Sequence, residues 1–300
     1  MRAGVIGVAG QILARAESLT EAQRGPAAVL DALERLLRNL LARHPGVTAI
    51  GVASAGQIDR RTGSVVYAPN LDWRDVPLGA RLSAALGRPV TVENDVRAAA
   101  WGEFRFGAGA GAGSLVAVFV GTGVGSGAVL GGALWRGAGN VAGEIGHTQV
   151  VVDGLPCPCG RRGCLEQYAS GSGFQRRLRA ALAAGRPTRL AVLTAGDPAW
   201  LTAAMVRTAT EEGDAVAREV WADAERSLTM AVANYVTLVN PEVLVLGGGV
   251  IETVPPLFDV VAAGVRELTT VLARSVRIER ARLGDWSGVV GAACLGAPAS

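Results

Sequence analysis

The chain contains no lysine: all 29 of its basic residues are arginine. That excludes chemistry built on a lysine amine, including Schiff-base catalysis, pyridoxal phosphate sites and the Walker P-loop. Charge is sparse as well. Charged residues make up 18% of the chain and the net charge is only +3, with the arginines scattered. A nucleic-acid surface needs a basic stripe, and there is none. Every apolar run is broken by Gly, Arg or Asp before about 18 residues, so no membrane-spanning helix is expected. The start, Met1-Arg2-Ala3-Gly4, lacks the charged and apolar regions of a signal peptide. The expectation is a soluble, cytoplasmic protein that meets neither nucleic acid nor membrane. Cysteine is scarce at four residues, and in such a compartment four cysteines read as metal ligands before disulfides.

What is present is apolar surface and glycine. Half of the 300 residues are hydrophobic, which excludes a disordered chain and suits two domains or one large one. The 41 glycines are about twice the usual share of roughly 7%. They gather in short clusters, as tight turns and close backbone approaches require. Strand and helix patterns alternate. An apolar strand at 3–8 has a hairpin partner at 11–16, and leucines at helical spacing mark a helix over about 27–44. Strands follow at 47–53, 65–66 and 89–92, with helices at 76–86 and 95–106. Beyond these lie strands at 115–120 and 128–130, a Gly/His/Cys-rich loop at 136–167 and a long helix at 214–239. A strand at 243–246, a helix near 257–271, a strand at 276–279 and a helix from about 287 complete the pattern. Such alternation argues an α/β protein. The glycine–alanine run 106–114 marks the expected boundary between an N-terminal α/β domain, 1–110, and a C-terminal one, 111–300.

The strongest motif is His147 followed by Cys157-Pro-Cys159-Gly-Arg-Arg-Gly-Cys164. Three thiolates and one imidazole suit a tetrahedral zinc, and a site with four protein ligands is structural because no position is left for water. A zinc hydrolase is excluded on the same ground. Three buried cysteines and an unrelated histidine are the bland alternative. Cys294 reads as core packing, and His44 as a helix C-terminal residue without function.

Two glycine clusters follow strands. Gly121-Thr122-Gly123-Val124-Gly125-Ser126-Gly127 offers backbone N–H groups and two hydroxyls to phosphate oxygens, or is simply a tight hairpin. Gly247-Gly248-Gly249, between a strand and a helix, suits a flat ligand such as adenine, or a plain turn. Glu93-Asn94-Asp95 closes a strand and opens a helix, where ligands of α/β sheets bind. Asp95 is either a helix N-cap or a catalytic carboxylate. The combination with Glu144-Ile-Gly-His147 and Glu166 favours a polyhydroxyl ligand, since sugar hydroxyls both donate and accept.

Together these pieces resemble the ROK family of bacterial sugar kinases and sugar-responsive repressors. The matching text is Glu93-Asn94-Asp95, the Gly121–Gly127 turn, Glu144-x-Gly-His147, the cysteine motif through Glu166, Leu246-Gly-Gly-Gly249 and Ala281-Arg-Leu-Gly-Asp285. The resemblance implies an actin-like ATPase, ribonuclease-H-like fold of two domains, with an interdomain cleft and a zinc-stabilised loop. It implies ATP-dependent phosphorylation of a hexose, glucose at the 6-hydroxyl first, with Mg2+ and structural Zn2+, in a homodimer or homotetramer. Asp95 would be the general base. Asn70, Asn94, Glu144, His147 and Glu166 would hold the sugar, and Gly121, Thr122, Gly123, Gly247, Gly248 and Gly249 the nucleotide. His147, Cys157, Cys159 and Cys164 would bind zinc, His147 through one ring nitrogen while the other faces the sugar.

The alternative is a non-catalytic sugar-sensing module of a ROK-type regulator. Such repressors carry an N-terminal winged helix, and this chain shows none. The family pattern also starts with a strand ending in Asp-x-Gly-Gly-Thr, and this chain begins just after that point. The expectation is weak kinase activity, with strands beside the missing one left short of ladder partners.

Overall fold

Our computed structural model describes residues 1–297. The chain opens with a hairpin, β1 (Arg2–Ile6) and β2 (Ile12–Glu17). Helix α1 (Gly25–Arg43) starts with Pro26 in its first turn, where the missing N–H has no partner to lose. Next come β3 (Ile50–Ser54), the meander β4 (Gln57–Asp59), β5 (Ser64–Ala68) and β6 (Trp73–Val76), and α2 (Leu78–Leu86). Strand β7 (Val90–Asn94) runs directly into α3 (Asp95–Phe106). Strands β8 (Leu115–Val120), β9 (Val124–Leu130) and β10 (Ala133–Trp135) follow, and then α4 (Glu166–Ala169), α5 (Gly171–Ala183), α6 (Arg189–Leu193), α7 (Ala203–Glu211) and α8 (Ala215–Val239). The last elements are β11 (Val243–Gly247), α9 (Gly249–Thr253), α10 (Pro255–Leu268), β12 (Arg277–Arg280) and α11 (Ser287–Gly296). No helix among the described residues is long and apolar enough to cross a membrane.

The chain divides into two compact units. The first comprises Met1–Leu115, Gly127–Gly143 and the stretch from Arg282 onward. Its first crossing, after Leu115, lies next to the glycine–alanine run; the chain then returns for 127–143 and again at Arg282. One core joins Ile58, Val65, Trp73 and Leu82 to Val29 and Leu30 of α1 and Val92 of β7. Strands β3 and β7 are parallel, with Ser54 opposite Asn94. The β1/β2 and β3/β7 ladders are not hydrogen-bonded to each other, and both rest on α11. Helix α11 lies close on α3, because a side chain at Gly291 would collide with the Ala98 carbonyl.

The second unit comprises Val116–Ser126 and Glu144–Ala281. Strand β11 is buried at all five positions. It lies between β8 and β12 and pairs in parallel with β12. Helix α8 covers this unit's core with Leu228, Val232 and Val236 and packs on α4, α7 and α10. Asp214 caps α8 by accepting from Ala217 N–H at 2.8 Å, and Asn240 ends it in the left-handed conformation.

Three short strands, β4, β6 and β10, have no counterpart in the sequence reading. Val76 closes β6 instead of opening α2, because it precedes Pro77 and proline drives its neighbour to extended backbone. The glycine turn is also shorter than expected. Strand β9 already begins at Val124, and Gly127 belongs to it, packed on Ala100 of α3.

Candidate active site

In the first unit the site is built where β7 meets α3. The capping role falls to Asn94, not Asp95: its side-chain oxygen accepts from the Val96 and Arg97 N–H groups, each at 3.1 Å. The Asn94 amide donates to the Gly56 carbonyl at 3.2 Å and to Asp95 Oδ1 at 3.0 Å. Asp95 is the first helical residue, and its Oδ1 also accepts from Val96 N–H at 2.9 Å. Burial raises the Asp95 pKa above its ordinary value, outweighing the Val96 N–H and the Arg97 charge. A half-buried carboxylate with a raised pKa is equipped to accept a proton.

Beneath it, Glu93 is 3% exposed. Its Oε1 accepts from Asn94 N–H at 2.9 Å and from Arg97 Nε at 2.9 Å, and its Oε2 from Arg136 Nε at 2.6 Å. Burial works against this charge, but Arg97, the Asn94 N–H and Arg136 together hold its pKa below the ordinary value. The clamp ties β7, α3 and the segment after β10 together. Asn70 lies on an exposed turn between β5 and β6. It is two residues past Ala68, which closes on Gly56, the acceptor of the Asn94 amide.

In the second unit, His147, Cys157, Cys159 and Cys164 converge, with all four donor atoms within 4.8 Å of one another. Cys159 Sγ and Cys164 Sγ are 3.7 Å apart, and Cys157 Sγ is 3.8 Å from His147 Nδ1. A tetrahedron with metal–sulfur bonds of about 2.3 Å has edges of about 3.8 Å, and these two pairs match that spacing, so the donor set suits such an ion. Nδ1 faces the sulfurs and leaves Nε2 for another partner. Burial resists ionisation of Cys159, yet the Arg161 N–H and the neighbouring thiols bring it down to about 6; burial together with Cys159 and Cys157 pushes Cys164 up to about 12. Thiols packed this closely need a cation before all three can ionise.

Glu144 and His147 bracket a single 3-10 turn, with His147 N–H donating to the Glu144 carbonyl at 3.0 Å. That turn sits on the start of β9, where a side chain at Gly146 would strike the Val124 carbonyl. Glu166 Oε2 accepts from Val124 N–H at 3.2 Å and lies where a Cβ on Gly123 would fall. Glu144, His147, Glu166 and Gly121–Gly123 therefore share one neighbourhood. In the second cluster, Gly248 has φ 90° and presses on the backbone of Val120, while Gly249 opens α9 with nothing within 4 Å of its missing Cβ.

A model of the ROK family matches residues 1–298. The chain belongs to the ROK family. A glucokinase of Streptomyces coelicolor is 35% identical over 304 aligned positions, which cover 98% of this chain and 93% of that enzyme. A xylose repressor of Caldicellulosiruptor bescii is 31% identical over 219 positions, 73% of this chain and 54% of the repressor. Among solved structures, a ROK family glucokinase from Streptomyces griseus in complex with glucose and AMPPNP has a TM-score of 0.80 at 35% identity, covering 98% of this chain and 94% of that one. The fold is thus the expected two-domain, actin-like α/β fold of ROK kinases.

Sequence reasoning gave no role to two buried carboxylates of this ROK chain, Glu93, named only within its triplet, and Glu103. Glu93 carried a signal in its i, i+4 spacing to Arg97. Glu103 carried none. It is fully buried, and its oxygens accept the N–H groups of Ala108, Arg282 and Leu283 at 2.8–3.1 Å, joining α3 to a segment 179 residues away in sequence.

Proposed function

We propose that this protein is an ATP-dependent hexose kinase acting on glucose at the 6-hydroxyl. The observation that carries the reading is the division of labour at the start of α3: Asn94 caps the helix, which leaves the Asp95 carboxyl for chemistry. Asp95 accepts the proton of the sugar hydroxyl as that oxygen attacks the γ-phosphate in line. Phosphoryl transfer is largely positioning and charge stabilisation, so a base within hydrogen-bond reach suffices. Asn70, Asn94, Glu144, Glu166 and His147 Nε2 hold the remaining hydroxyls. The Gly121-Thr122-Gly123 turn presents its Thr122 and Gly123 N–H groups to the phosphates, the Gly121 N–H holding the turn by donating to the Gly123 carbonyl at 2.9 Å, and Gly247, Gly248 and Gly249 give the base and ribose a surface without side chains. Bound Mg2+ would neutralise phosphate charge. His147, Cys157, Cys159 and Cys164 would hold Zn2+, which fixes the orientation of the His147 ring. A homodimer or homotetramer is the working assembly. The similarity to a glucokinase along nearly the whole of both chains supports the kinase reading.

A coupled ADP-release assay over hexoses and N-acetylhexosamines tests it, with Asp95→Asn beside the wild type. The variant is expected to lose at least about 100-fold in turnover while keeping its sugar affinity. Equal turnover in the two proteins overturns the role of Asp95. Sugar binding without ADP release in the wild type favours the second reading, a sugar-sensing module, which the similarity to a xylose repressor supports.

A further inference from the structure

Gln167 follows directly on Glu166 but points the other way, into the metal-donor cluster, and is 2% exposed. Its Nε2 lies 3.3 Å from Cys157 Sγ and its Oε1 accepts from Arg176 Nε at 2.8 Å. The arginine decides the orientation of the amide. A guanidinium can only donate, so the oxygen must face it and the NH2 group must face the sulfur. Cys157 Sγ is therefore the acceptor of this bond.

The chain of bonds continues. Arg176 Nη2 donates to Ser172 Oγ at 3.1 Å. Ser172 N–H donates to the Thr122 carbonyl at 3.1 Å, and Gly171 N–H to the Gly121 carbonyl at 2.9 Å. The first turn of α5 thus holds both carbonyls of the glycine turn. In a trans peptide the C=O and N–H point in opposite directions. Pinning the Gly121 and Thr122 carbonyls on α5 therefore aims the Thr122 and Gly123 N–H groups away from it, as a phosphate cradle requires.

We propose that Gln167 is a positioning residue for the metal centre and that, through Arg176 and Ser172, it couples occupation of that centre to the geometry of the Gly121–Gly123 turn. The coupling rests on the kinase reading, in which the cysteine cluster takes zinc and the turn takes phosphate. Its consequence is that the metal supports the nucleotide as well as the sugar.

The test uses the full chain loaded with zinc or Co2+. Gln167→Met keeps the length of the side chain and removes the N–H donor. It is expected to weaken zinc binding about 10–100-fold in competition with a chromophoric chelator and to shift the thiolate-to-cobalt charge-transfer band. Arg176→Met and the milder Ser172→Ala should leave that affinity within a few-fold but weaken ADP binding about tenfold by calorimetry without sugar. In the wild type, withdrawing zinc should speed hydrogen exchange at the amides of 121–124. Unchanged zinc affinity and an unchanged band in Gln167→Met overturn the positioning role. Unchanged exchange at 121–124 on zinc withdrawal overturns the coupling. A wild type that binds no ADP counts against the kinase reading alone, since the exchange and cobalt measurements need no nucleotide.

Discussion

Asp95 and His147 both sit at the ends of short elements, but one is held by charge and the other by sulfur. Around Asp95 the sheet is discontinuous. The β1/β2, β3/β7 and β4/β5/β6 ladders are separate, and β1 and β3 are only partly buried along most of their length. Rigidity comes from side chains that reach across elements: Glu93 to Arg97 and Arg136, and Glu103 to three backbone N–H groups. Around His147 the sheet is dry, with β8 and β11 almost wholly buried. The loop 144–165 that carries the site residues has little apolar cover and is organised by four metal donors. A fold can therefore fix a polar site with buried charge pairs where its ladders are separate, or with a metal cross-link where a long loop lies outside its core. The first device is always in place; the second depends on an ion.

That contrast breaks most sharply on chelation. Binding of structural zinc is worth about 10–16 kcal/mol in small zinc domains, so its removal should release the whole 144–165 loop. Hydrogen exchange is expected to lose protection there, while 90–106 and 136–143 in the first unit keep theirs. Equal loss in both regions would show that the two devices are not independent.

Glu93→Ala is the matching blow to the first unit. It strands Arg97, which is 2% exposed, and unpairs Arg136. Breaking a buried ion pair from one side costs about 3–5 kcal/mol. Denaturant titration should record that loss, with zinc affinity unchanged. The sign of the acid dependence follows from the lowered pKa. The Glu93 contribution is present above the ordinary value of 4.5 and is lost as pH falls through the lower native value. The variant should therefore lose stability less steeply below pH 4.5 than the wild type.

The same contrast explains which parts of the molecule were legible in the sequence. The metal donors were, because Cys157, Cys159 and Cys164 lie within eight residues and thiolates have few other uses in that pattern. The long apolar elements β8, α8 and β11 were, because periodicity and burial coincide in them. The strands β4 and β10 were not, since three residues carry no period. Glu103 was not, because its partners at 282 and 283 are distant in sequence and are backbone groups. The Glu93-Asn94-Asp95 triplet was legible as a strand-to-helix junction, but which residue caps the helix was not. Asn and Asp are equally good caps, and only the bonds from Val96 and Arg97 to Asn94 separate them.

The smallest expected effect sharpens that last distinction. If Asp95 served the fold, as a cap does, Asp95→Asn would be neutral or destabilising. Its raised pKa argues the reverse. A group whose pKa is higher in the folded state stabilises that state only while protonated, and the benefit is lost as pH rises through the native value. At neutral pH the folded protein thus carries a carboxylate it would hold more readily as the neutral acid. Asparagine keeps an oxygen for the Val96 N–H and removes the charge. The variant should gain about 1 kcal/mol at pH 7, within the range common for single stabilising changes. The gain should vanish as pH falls below the ordinary carboxylate value of 3.8. Denaturant titrations at pH 7 and at pH 3.5 measure it, and a loss of stability at pH 7 would return Asp95 to a structural role.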